Sequence, residues 1–175
     1  MKFFTNKNKL NHGFTLLETL VAISIFSLSI LAVMSVLSRG ISSTNYAKKR
    51  IISSYLAEEG VEYVRNIRDT LVGSNADSSA GWTAFTTNAS ACISGCYVQD
   101  FETLTACSGS CTPLLYDQAT GIYGYTTGVD SGYTRTITVE TISVDELKVT
   151  SSVSWMQGSG SYNITFTGNL FNWIE

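Results

Sequence analysis

The chain has 175 residues, 44% of them hydrophobic and 14% charged, with a net charge of -3. That is a folded composition with room for one long helix and one small body. Residues 72–175 hold two basic residues against nine acidic ones, a net of -7, while residues 1–50 hold seven of the eleven lysines and arginines; an acidic body lacks the basic surface that nucleic-acid binding requires, so no nucleic-acid partner is expected.

The chain opens with "MKFFTNKNKLNHG", short, polar and basic through Lys2, Lys7 and Lys9. An apolar run follows at once over residues 14–37, 24 residues long. As a helix it would measure about 36 Å, enough to cross a hydrocarbon core of about 30 Å with some tilt. A secretory signal peptide is disfavoured, because its apolar stretch is shorter and ends in small residues at a cleavage site. Here Ser38, Arg39 and Gly40 follow instead. A plain membrane anchor fits the length. The flanking charge is equivocal about its orientation, since Arg39, Lys48, Lys49 and Arg50 lie beyond the run.

One residue does not fit a plain anchor. Glu18 stands fifth in the apolar run, and a carboxylate inside an apolar helix costs about 2.5–3.5 kcal/mol at the bilayer centre, less near the interface. A cut between Gly13 and Phe14 would create a charged α-amine at the head of the run. In an assembly of staggered parallel helices, Glu18 of one subunit could pair with the Phe14 amine of the next. Two charges that are costly alone become tolerable together, and only one stagger satisfies both.

The stretch "GFTLLETLVA" resembles the N-terminal cleavage and methylation motif of type IV pilins and type II secretion pseudopilins, through Gly13, Phe14, Thr15, Leu16, Leu17 and Glu18. The resemblance implies cleavage after Gly13 by a prepilin peptidase, N-methylation of Phe14 and a register role for Glu18. It implies other pilin or pseudopilin subunits as partners, with membrane lipid around the helix before assembly. It further implies a precursor in the inner (cytoplasmic) membrane with a cytoplasmic N-terminus, then an extracytoplasmic or cell-surface filament.

Helical periodicity continues past the apolar run. Ile52, Leu56, Gly60, Val64, Ile67 and Leu71 recur every three or four residues, and Glu62, Arg65 and Asp69 offer opposite-charge pairs along a second stripe. One helix is expected over residues 14–71, apolar all round and then amphipathic, with Gly40 a candidate kink. Gly60 would let a sheet approach closely, at a cost of about 1 kcal/mol in helix propensity. The sequence after Leu71, "VGSNADSSAG", ends the helix.

Residues 74–132, rich in Gly, Ser, Thr and Tyr, read as surface loops with weak strands at 96–100, 114–116 and 122–125. Three clear strands follow. Tyr133, Ile137 and Val139 alternate with threonines; Leu147, Val149, Val153 and Trp155 alternate with Lys148, Thr150, Ser152 and Ser154; Tyr162, Ile164, Phe166 and Leu170 alternate with Asn163, Thr165, Thr167 and Asn169. Period two with one apolar face signifies half-buried antiparallel strands, with turns at Asp145-Glu146 and Gly158-Ser159-Gly160. The expected fold is α+β, a long N-terminal helix packed on an antiparallel meander, as in the pilin family. The expected organisation is a leader at 1–13, a transmembrane or filament-core half-helix at 14–37, an amphipathic half at 38–72 and a β-rich body at 73–175.

"CISGC" and "CSGSC" place Cys92, Cys96, Cys107 and Cys111 in two C-x3-C units. A four-thiolate zinc site and redox thiols are alternatives to structural disulfides, and an extracytoplasmic body favours disulfides. Nested bridges, Cys92–Cys111 and Cys96–Cys107, fit one hairpin register because both position sums are 203. Local bridges fit nearly as well, and the nested pair is slightly preferred.

His12 is the single histidine and would leave with the leader. That removes histidine-based nucleophilic chemistry and histidine metal ligands. With no P-loop or dinucleotide fingerprint, no catalytic residue, metal or cofactor is assigned, and the chain is read as non-enzymatic. A filament subunit is the first reading, and a monomeric membrane-anchored extracytoplasmic binding protein the alternative.

Overall fold

A computed structural model describes residues 13–100 and 103–173. The leader residues Lys2, Lys7, Lys9 and His12 lie outside the described residues. The chain divides into two compact units, Met1–Asn45 and Tyr46–Glu175. Helix α1, Leu16–Ser74, contributes to both and is helical through Gly40.

In the first unit every described residue is exposed, including the large apolar ones from Phe14 to Leu37. This part of α1 is long and apolar enough to cross a membrane. Its hydroxyls turn inward on the helix itself. Ser24 Oγ donates to Leu20 O at 2.8 Å, Ser29 Oγ to Ile25 O at 2.8 Å, and Thr19 Oγ1 to Leu16 O at 2.9 Å. These three hydroxyls are thus satisfied without water, as a lipid environment requires.

In the second unit α1 buries Ser53, Leu56, Ala57, Gly60, Val61, Val64 and Ile67, a face recurring at three and four. A short helix follows, α2, Ser78–Ala89, where loop was expected. Asp77 caps it, its carboxylate accepting from Ser79 N at 3.0 Å. Gly81, Trp82, Phe85 and Ala89 are its buried face. A Cβ on Gly81 would lie 2.6 Å from Val72 Cα, so glycine lets α2 start against the end of α1. Trp82 Nε1 donates to Val144 O at 2.8 Å and ties α2 to the sheet.

Seven antiparallel strands form one sheet: β1 Cys96–Gln99, β2 Thr103–Ala106, β3 Pro113–Tyr116, β4 Tyr123–Gly124, β5 Val129–Ser143, β6 Glu146–Gln157 and β7 Gly160–Phe171. The fold is α+β, as the sequence implied. Central β5 pairs β6 along its length, with Tyr133 opposite Trp155 and Val139 opposite Val149. On its other side β5 pairs β3 and β1, and β7 continues from β6. The turn between β5 and β6 falls at Val144-Asp145, one residue before the expected Asp145-Glu146, and Glu146 already belongs to β6.

Two apolar clusters form the core. One gathers Val61, Val64, Trp82, Phe85, Ile137 and Val149; the other gathers Leu56, Ala57, Leu114, Tyr133, Val153 and Trp155. Between them, on all three elements, the sequence switches to small or polar residues: Gly60 on α1, Arg135 on β5 and Ser151 on β6. A Cβ on Gly60 would collide with Ser151 Oγ and lie 3.0 Å from Arg135 Cδ. The close approach expected of Gly60 is therefore present.

Candidate functional site: the N-terminal segment and the charged face of α1

Gly13, Phe14 and Thr15 precede α1 in non-helical backbone. Phe14 is 81% exposed, and nothing lies within 4 Å of a Cβ built on Gly13. Among the described residues, nothing covers the Gly13–Phe14 peptide. Glu18 occupies the first turn of α1, exposed, where a carboxylate complements the helix dipole. Its backbone N–H donates to Thr15 Oγ1 at 3.3 Å, the N-cap half of a Thr-x-x-Glu capping box. Thr15 therefore has a capping role that sequence reasoning missed, although "TLLE" was there to show it.

The four cysteines form two local bridges, Cys92–Cys96 and Cys107–Cys111, with Cα atoms 4.6 and 4.8 Å apart. This corrects the preference for nested bridges. The β1–β2 register pairs Cys96 with Ala106, a position sum of 202, one short of what nesting requires. A one-residue shift turns a side chain to the other face of a hairpin, so Cys107 cannot face Cys96. Cys107 instead donates its N–H to Gly95 O at 2.9 Å. Gly95, at φ +107°, closes the turn around the first bridge. No group of three or more His, Cys, Asp or Glu able to hold a metal occurs among the described residues.

The charges on α1 are arranged differently from expectation in one respect. Glu62 pairs with Arg65 at 2.5 Å, but Asp69 takes Arg68 at 2.6 Å rather than Arg65. Arg68 also donates to Phe171 O at 3.2 Å, fastening the end of α1 to β7. The main buried charge, unnoticed in the sequence, is Arg135, whose side chain is 2% exposed. Its Nη1 reaches Glu59 Oε2 at 2.8 Å and Leu56 O at 3.2 Å. The guanidinium lies over the rings of Tyr63 and Tyr125, 5.2 and 5.8 Å from their centroids. Tyr63 OH donates to the other Glu59 oxygen at 2.7 Å. Burial, then this bond to a carboxylate, pushes the Tyr63 hydroxyl well above the usual phenol range. Burial also raises Tyr125, against the opposing pull of Arg135.

Beside this cluster the surface carries a groove of about 590 Å³, with Ile52, Leu56 and Tyr123 in its lining and Tyr55, Glu58 and Glu62 also bordering it. Glu59 borders it too, but both of its oxygens are engaged internally.

Residues 8–34 match the family model described as the prokaryotic N-terminal methylation motif. The N-terminal segment thus carries the type IV pilin and pseudopilin signature, and the match spans Gly13, Phe14, Glu18 and most of the apolar run. No curated protein and no solved structure matches the chain.

Proposed function

We propose that this chain is the precursor of a structural subunit, a minor pilin or pseudopilin, of a type IV pilus or related filament. The observation that carries the reading is an apolar helix, exposed throughout and bearing one carboxylate in its first turn, inside a matched methylation motif. The motif supports a type IV pilin-like precursor, and its signature belongs to structural subunits rather than enzymes.

In this reading the leader, residues 1–13, stays cytoplasmic while residues 14–37 span the membrane and the body lies outside. A prepilin peptidase cuts after Gly13 and methylates Phe14. The helix then exchanges lipid for the helices of other subunits. Because both surroundings are apolar, the transfer gains little from hydrophobic burial and depends on packing and on polar pairing. Glu18 supplies the pairing: opposite the Phe14 amine of a neighbour, its cost in lipid, which is below the bilayer-centre value of about 2.5–3.5 kcal/mol, becomes a preference for the assembled state.

The test is the mature N-terminus, read by mass spectrometry from cells that contain a prepilin peptidase, together with incorporation of Glu18→Ala. The expected results are a chain beginning at N-methylated Phe14 and loss of Glu18→Ala from filaments. An intact Met1 terminus, or a Glu18→Ala chain that behaves as the parent does, would leave a monomeric anchored binding protein.

A further inference from the structure

The solvent side of α1 in the second unit carries a stripe that the body leaves uncovered. Lys48, Ile51, Tyr55, Glu58 and Glu62 recur at three, four, three and four residues, the spacing of a helix–helix seam. All five are exposed, Ile51 by 58% and Tyr55 by 69%. Two apolar residues at the middle of a solvated helix face contribute nothing to this body's core. The charges at the two ends of the stripe are opposite in sign. Lys48 and Glu58 make no ion pair among the described residues, and Glu62 has only a surface pair with Arg65. Neighbouring Lys49 differs, because its Nζ is held by Met156 O at 2.8 Å.

We infer that this stripe is the seam along which the body docks a second copy of the same chain, with Lys48 of one copy between Glu58 and Glu62 of the next. The inference rests on the filament reading, which makes the copies parallel, and within it on this chain occupying neighbouring positions along the filament rather than a single minor one. Lys48 precedes the two glutamates by ten and fourteen residues, so the contact requires an axial shift of about 15–21 Å between parallel helices. Ile51 and Tyr55 then lie within the contact instead of in water. The groove against Tyr123 gives the neighbouring helix room to settle beside Tyr55. Such a contact is head-to-tail. It leaves a free acidic end on one copy and a free basic end on the other, so it repeats without closing.

The experiment uses full-length chains in cells with an intact prepilin peptidase. Two differently tagged copies, one Lys48→Cys and the other Glu62→Cys, are coexpressed and treated with a short bis-maleimide. A mixed dimer is expected, and Tyr55→Cys alone should not crosslink to itself. Lys48→Glu, or Glu58→Lys with Glu62→Lys, should lower filament incorporation about tenfold through like-charge contact. The triple variant that reverses both ends should restore it. Local folding of each variant is checked by retention of both disulfides.

A triple variant no better than the double, or absence of the mixed dimer, overturns the seam. Self-crosslinking of Tyr55→Cys overturns the parallel contact in favour of an antiparallel one centred on Tyr55, and capture of only another protein overturns the choice of occupant. The filament reading is scored separately in the same cells. A Phe14 terminus and Glu18 dependence without the mixed dimer sink the seam alone. A mixed dimer in chains that keep Met1 sinks the filament reading alone.

Discussion

Replacing Gly60 with alanine sets two known effects against each other. In a helix with no neighbour, the change stabilises by about 1 kcal/mol, since alanine is the better helix former. In this body the new methyl would meet Ser151 Oγ, Arg135 Cδ at 3.0 Å and Ser151 Cβ at 3.1 Å. The hydroxyl can rotate away. The two carbons cannot, because Ser151 is held in the β5–β6 and β6–β7 ladders and Arg135 is pinned by Glu59 and Leu56. Overpacking of this kind costs about 1–3 kcal/mol, so Gly60→Ala should destabilise by about 1 kcal/mol once the propensity gain is subtracted. Ser151→Gly removes two of the three obstructing atoms. In the double variant the alanine should therefore recover most of its helix benefit, with a coupling energy of about 1–2 kcal/mol between the sites. Urea unfolding of the four full-length proteins in detergent micelles measures this through tryptophan fluorescence, Trp82 and Trp155 being buried in the two clusters. A Gly60→Ala protein more stable than the parent by about 1 kcal/mol, or effects additive within about 0.5 kcal/mol, would refute the close approach of helix and sheet.

Two further outcomes follow from the body. Chymotryptic digestion without reduction, cutting near Tyr97 and Leu104, should release Cys92–Cys96 and Cys107–Cys111 on separate peptides; one covalently joined pair would refute the local connectivity. Tyr63 and Tyr125 have their hydroxyls raised by burial, so the unfolded chain releases those protons near pH 10 while the folded chain keeps them. Their contribution is complete below about pH 10 and declines as the pH climbs above it; Tyr63→Phe with Tyr125→Phe should flatten the fall of Tm between pH 9 and 11.5, and an unchanged slope would contradict it.

What could be read from the sequence was whatever carried a period, a long apolar run or a local motif. The apolar run stood out by its length, while α1 from Ile52 through Ile67 and the strands β5, β6 and β7 each showed three-four or two-fold alternation over many residues. Helix α2 was missed because "SSAGWTAFTTNA" is rich in Ser, Thr and Asn, whose side chains compete for backbone hydrogen bonds. Yet Trp82, Phe85 and Ala89 already lay on one face. The cysteine pairing turned on a single residue of register, which composition cannot supply. Arg135 was passed over because the alternation of Tyr133, Ile137 and Val139 was read across it. A charge on the buried parity of a strand, a serine on the same parity at Ser151 and a glycine in a helical stripe at Gly60 were three departures from three patterns. Their common cause was one polar layer, visible only when the elements are superposed.

That layer sets which turn of α1 faces the sheet. The apolar residues on either side of it are similar in kind, so a helix slipped by one turn, about 5.4 Å, would still bury leucine, valine and isoleucine against β5 and β6. The slipped helix would bring Leu56 or Val64 to the place that only Gly60 fits. It would also leave the Arg135 guanidinium without Glu59, and an unpaired buried charge of this kind costs about 3–5 kcal/mol. Apolar area holds the helix to the sheet, and the partner of one buried arginine with one missing Cβ decides the register. The proposed role of Glu18 obeys the same division of labour: apolar surface tolerates many staggers between neighbouring helices, and a carboxylate opposite an amine selects one of them.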